Sequence, residues 1–172
     1  MYGDANLKAR PAGEPTTLFD AARALGVAFS RPAEPRDEFL EANGLRFHYL
    51  DWGNDGATPL VLLHHVNSQA HTWDAFARRM SADYRVVALD MRGHGDSDWA
   101  AAGDYSLEAQ VGDLDGFVKA LGLDQFVLMG HSMGGWIAAE MAAMASGNLT
   151  GLVLIDAVGI RPKNAEITEV FM

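Results

Sequence analysis

The stretch Gly130-His131-Ser132-Met133-Gly134-Gly135 constrains this chain more than any other. It follows a short apolar run, Gln125-Phe126-Val127-Leu128-Met129, and opens a segment of helical character from Met133 to about Ser146. A strand that turns at once into a helix brings two backbones very close, and only residues without Cβ fit beside the turn. Strand, G-x-S-x-G, helix is the setting of a nucleophile elbow. The central residue stands on a strained turn, clear of the sheet, with the next N–H aimed at the same point. Ser132 is therefore the candidate nucleophile. A phosphate cradle would use similar glycines, but His131 and Ser132 occupy the turn of a dinucleotide fingerprint, and the Lys-Ser/Thr pair of a P-loop is missing.

The flanking pattern agrees. Glu38–Ala42 and Leu45–Trp52 bracket Asn43-Gly44, a hairpin signal. Pro59-Leu60-Val61-Leu62-Leu63-His64 and Arg85–Met91 read as buried strands. Trp73, Phe76, Ala77 and Met80 recur at helical spacing, with Thr72 as the expected N-cap. Leu107, Val111, Leu114, Val118 and Leu121 mark a second helix, from Ser106 to Gly122. Leu152–Ile155 is a further buried strand. Alternating strands and helices after a hairpin predict an α/β fold with a mostly parallel, doubly wound sheet. Groups that do chemistry on such sheets sit beyond the carboxyl ends of the strands. His64, Asp90, Ser132 and Asp156 all fall there.

Residues 1–37, with Pro11, Pro15, Pro32 and Pro35 around an alanine-rich patch, read as an extension carrying one short helix. Residues 38–157 form the expected core, and 158–172 the start of a lid or connecting segment. A net charge of −10, from 23 acidic against 13 basic residues, argues against nucleic acid or an anionic membrane as partner. No run is long enough to span a membrane, and the first ten residues lack a signal-peptide pattern, so a cytoplasmic location is expected. Without cysteine there is no disulfide framework or thiolate metal site. The histidines show no metal-ligand spacing with a supporting carboxylate, so neither metal nor cofactor is expected.

In three features together the chain resembles the α/β-hydrolase family over about residues 38–172. These are the strand ending in His64, the loop Asp90-Met91-Arg92-Gly93-His94-Gly95-Asp96-Ser97, and the elbow Gly130–Gly134. The resemblance implies an eight-stranded, mainly parallel sheet with helices on both faces. It implies acyl transfer through Ser132, with a His base and an acidic orienter following in chain order. Met133 N–H and Val66 N–H would hold the oxyanion, while His65, Asn67, His131 and Trp136 would wall a small-molecule pocket. Asp90, Arg92 and Ser97 would brace their loop.

Two departures stand out. His65 occupies a position where the family has glycine, so either the turn differs or a strained φ is tolerated there. None of the six histidines follows Ser132. Six strands are expected rather than eight, so at about 30 residues per unit the expected shortfall is roughly a hundred residues, and the chain reads as an N-terminal portion. Asp156 is the one carboxylate at a strand end after the nucleophile, and family members differ on whether the acid lies there or on the next strand. The expected activity is hydrolysis of an ester or of a carbon–carbon bond next to a carbonyl. A non-catalytic binding module, and a perhydrolase or acyltransferase, are the alternatives. The last strand would present an open edge for self-association.

Overall fold

The computed structural model describes residues 34–144 and 147–159. The expected N-terminal helix, and most of the expected connecting segment, lie outside the described residues. Contacts separate Met1–Glu34 from Pro35–Met172, and the sheet belongs to the second unit.

Asn43 and Gly44 adopt φ of 49° and 75°, the left-handed pair that a two-residue hairpin turn requires. They join β1 (Arg36–Ala42) to β2 (Leu45–Asp51) in antiparallel register. There follow β3 (Pro59–Leu63), α1 (Asp74–Met80), β4 (Arg85–Leu89), α2 (Leu107–Ala120), β5 (Phe126–His131), α3 (Met133–Met144) and β6 (Leu149–Ile155). The sheet order is β1-β2-β4-β3-β5-β6. β2 meets β4 antiparallel, and every pairing from β4 to β6 is parallel. This is the mostly parallel, six-stranded sheet that the sequence predicts.

Successive residues of a strand face opposite ways, and the core divides accordingly. Val61, Leu63, Val87, Leu89 and Leu128 join Phe117 of α2 and Ile137 of α3 in one buried cluster. The alternate residues Leu60, Leu62, Val86 and Ala88 are equally buried but outside that cluster. They face the other side of the sheet, where α1 and the turn before it contact β3 and β4. Helices thus cover both faces.

Helix ends follow local chemistry. The Ser106 hydroxyl accepts the Ala109 N–H at 3.3 Å and caps α2. Gly122, at φ 66°, follows its end. Thr72 does not cap α1. A 3-10 turn over Ala70–Trp73 precedes that helix, whose N-cap is Trp73 without a side-chain bond. The tighter turn places Ala70 and Trp73, three residues apart, on one face, and both are buried.

Candidate functional site

The elbow has the geometry that its glycines predict. Ser132 sits at φ 53°, a left-handed conformation that costs a residue with a Cβ about 1–2 kcal/mol. Three backbone hydrogen bonds hold it there. Ser132 N–H donates to Ile155 C=O at 2.9 Å, and Ser132 C=O accepts from Trp136 N–H at 3.1 Å and Val158 N–H at 3.3 Å. A Cβ on Gly134 would stand 2.6 Å from the carbonyl oxygens of both Leu63 and His64. A Cβ on Gly130 would run into the Gly134 backbone. Strand β3 and helix α3 therefore approach backbone to backbone beside Ser132.

Two N–H groups at this edge have no hydrogen-bond acceptor among the described residues. Met133 begins α3, so its N–H has no acceptor within the helix. Val66 N–H makes no hydrogen bond among the described residues. Its direction is fixed by His64, which is wholly buried. Met91 N–H donates to His64 Nε2 at 3.1 Å, so that nitrogen carries the lone pair. Nδ1–H then donates to the His65 carbonyl at 2.7 Å. In a trans peptide N–H points opposite to C=O, so the Val66 N–H points away from the buried ring. Burial keeps His64 neutral by lowering its pKa to about 4. His65 itself does not take a positive φ; Asn67 does, at 58°. The turn differs from a glycine turn, and its left-handed residue is an asparagine, which tolerates that region.

His131 and Ser132 are half-buried. The His131 ring packs edge-on against His65, with centroids 5.0 Å apart and planes at 70°. Trp136 is exposed and lies against Gly159. Asp156 is exposed at φ 43° and has no side-chain hydrogen bond among the described residues. The Ser132 hydroxyl likewise has no hydrogen-bond partner among them. Asn67 lines an open hollow of about 440 Å³ with Ser68, Gln69, His71 and Thr72. A groove of about 310 Å³ between α2 and α3 shares no residue with the elbow.

The loop after β4 is braced from within. Asp90 accepts the N–H groups of Ala70 and Asp96 and pairs with His48 Nδ1 at 2.7 Å. The Ser97 hydroxyl donates to the Asp90 carbonyl and accepts His48 N–H. Burial alone would raise the Asp90 pKa, but the hydrogen bonds from His48, Ala70 and Asp96 outweigh it and hold the carboxyl below its ordinary value. The same pairing raises His48 against its own burial. Arg92 donates to Asp113 of α2, with one bond at 2.7 Å, and to the Asp104 and Ala109 carbonyls. His48 and Asp113 were not singled out from sequence. The signal for Asp113 is a carboxylate inside the apolar stripe of α2; His48, in a strand, carries no such mark.

Among the described residues no group of three or more His, Asp or Glu could hold a metal ion. No helix there is long and apolar enough to cross a membrane. The family described as alpha/beta hydrolase fold matches residues 58–170. The chain is 40% identical over 117 residues to N-formylmaleamate deformylase of Pseudomonas putida, covering 68% of this chain and 43% of that protein. It is 36% identical over 118 residues to epoxide hydrolase 4 of Mus musculus, covering 68% and 33%. A crystal structure of a membrane phospholipase A superposes with a TM-score of 0.75 at 32% identity, covering 88% of this chain and 48% of that one. The chain thus spans less than half the length of these relatives. With the family match covering most of its sheet and including the elbow, the chain belongs to the α/β-hydrolase family.

Proposed function

We propose that this chain carries the nucleophile half of a serine hydrolase site. One observation carries the reading: Ser132 stands at φ 53° on a strand-to-helix turn that glycines at 130 and 134 alone allow. In the proposed reaction Ser132 Oγ bonds to the acyl carbon, and the bond to the leaving group breaks. The serine proton goes to the leaving group by way of a base, and water then cleaves the acyl-enzyme. Met133 N–H and Val66 N–H hold the oxyanion, each worth on the order of 3 kcal/mol in the barrier. His65, Asn67, His131 and Trp136 wall the pocket, and Asp156 is the acid candidate.

The substrate class is an acyl compound, an ester or a ketone cleaved beside its carbonyl. The name of the deformylase relative states removal of an N-formyl group, which is likewise cleavage at an acyl carbon but from nitrogen, neither an ester nor a ketone. By the family resemblance, members that open epoxides need a carboxylate where Ser132 stands, which disfavours that chemistry here. The acidic chain disfavours nucleic acid, and β6 offers an edge for self-association.

A second reading, a binding module without turnover, draws on the Ser132 hydroxyl having no imidazole or carboxylate partner among the described residues. Fluorophosphonate labelling with peptide mapping separates the readings. The expected result is a slow adduct on Ser132 that disappears in Ser132→Ala. An adduct elsewhere, undiminished in that variant, overturns the nucleophile assignment. Rapid labelling at Ser132 reveals a working base and removes the binding-module reading.

A further inference from the structure

All six histidines lie among the described residues and the chain has no cysteine, so the commitments of each imidazole can be followed. His48 is buried and turns its nitrogens to Asp90 and Asp37. His64 is buried and uses both on the backbone. His71 Nδ1 faces Asp74, and His94 Nδ1 donates to the Arg92 carbonyl. His65 and His131 are different.

His65 Nδ1 lies 2.7 Å from the Val66 carbonyl. A carbonyl only accepts, so Nδ1 holds the proton and the neutral ring keeps its lone pair on Nε2. An imidazole tied by Nδ1–H to a backbone oxygen is oriented as a metal-ligating histidine is. Neither nitrogen of His131 has a hydrogen-bond partner among the described residues, and its ring centre is 5.0 Å from that of His65. Two imidazoles on one tetrahedral zinc, each at a Zn–N distance of about 2 Å, have ring centres about 5 Å apart. His64 and His94 also lie 5.0 Å apart, but His64 has no lone pair left to give. Spacing alone does not distinguish the pairs; free lone pairs do.

We propose that His65 and His131 form a two-imidazole site for a divalent transition ion, Zn²⁺ or more tightly Cu²⁺, and that an ion bound there blocks Ser132. Water completes the coordination. With two protein ligands the ion is exchangeable and inhibitory, not a resident cofactor. Binding rests on the ring spacing together with the uncommitted nitrogens of His65 and His131 among the described residues, whereas the block rests on the serine-hydrolase reading.

Calorimetric titration of Zn²⁺ into the chain at neutral pH tests the site. One saturable site is expected, weakened about tenfold or more in both His65→Ala and His131→Gln and unchanged in His94→Ala. The imidazole ¹⁵N signals of His65 and His131 alone should shift. Absence of saturable binding, or wild-type affinity in folded His131→Gln, overturns the site. Zn²⁺ should also slow fluorophosphonate labelling of wild-type Ser132 but not of His131→Gln. If calorimetry shows the site and Ser132 never labels without metal, the hydrolase reading fails and the ion site stands. If Ser132 labels and Zn²⁺ leaves its rate unchanged, the block is overturned.

Discussion

The buried His64 ring donates its Nδ1–H to the His65 carbonyl at 2.7 Å while accepting the Met91 N–H on Nε2. One side chain thereby ties the end of β3 to the end of β4 and sets the peptide that carries the Val66 N–H. Protonating Nε2 would break the Met91 bond, and burial opposes it, lowering the pKa from 6.5 to about 4. Between those values the unfolded chain binds more protons than the folded one, so stability rises with pH across that window. His64 should therefore remove about 3 kcal/mol of stability as pH falls from 6.5 to about 4. Urea midpoints across this range should slope upward with pH, and more gently in His64→Gln.

His48 and Asp90 contribute with different signs. Asp90, held low, lends stability above its ordinary carboxyl value, and this is lost as acid titrates it. His48, raised mainly by its hydrogen bond to Asp90, lends stability below the ordinary imidazole value, and this is lost as pH rises through its folded one. Asp90→Asn leaves the N–H groups of Ala70 and Asp96 short of a charged acceptor. Breaking a buried pair of this kind costs about 3–5 kcal/mol. Thermal unfolding should show that loss near pH 6, and a smaller difference above the His48 titration.

Much of the sheet was legible because its signals are local. Asn43-Gly44 names its turn, and Ser106 and Gly122 mark the ends of α2 through their own backbone preferences. The elbow was legible because a close backbone approach excludes side chains, which leaves glycines at fixed spacing. The start of α1 was not, since whether Thr72 caps a helix or joins a 3-10 turn depends on how Ala70 and Trp73 bury. The pairs His48–Asp90 and Arg92–Asp113 span 42 and 21 residues, and their partners meet only once the strands are ordered. A glycine template puts the special φ of this turn at His65 or requires a different turn; the turn differs, and the positive φ stands two residues later, at Asn67.

Two glycine substitutions should move stability in opposite directions. Gly134→Ala forces a Cβ to 2.6 Å from two carbonyl oxygens, and overpacking against backbone costs about 1–3 kcal/mol or more. Gly112 lies within α2, and a Cβ there meets nothing closer than Asn43 Nδ2 at 3.7 Å. Gly112→Ala should stabilise by about 0.5–1 kcal/mol through helix propensity. Paired urea denaturation measures both; equal effects would contradict this account of the elbow.

Strain at Ser132 should be recoverable as stability. Ser132→Gly removes the Cβ penalty at φ 53°, so it should exceed Ser132→Ala by about 1 kcal/mol. Both variants lose the hydroxyl and should fail to take a fluorophosphonate. A Ser132→Ala as stable as Ser132→Gly would place the strain elsewhere.

Strand β6 pairs with β5 on one side and with no strand on the other among the described residues. Leu152, Val153 and Ile155 are 39%, 39% and 37% exposed, while Leu154 packs on the core. An apolar strand edge offers unpaired N–H and C=O groups together with side chains that gain from burial, which suits β-pairing by a second copy. The chain should therefore associate as concentration rises, read by light scattering. Val153 and Leu154 are neighbours on the strand and face opposite ways, so Val153→Lys charges the edge while leaving the Leu154 packing in place. That variant should remain monomeric at concentrations where the parent chain associates, with an unchanged urea midpoint. A parent chain that stays monodisperse at high concentration would refute association through this edge.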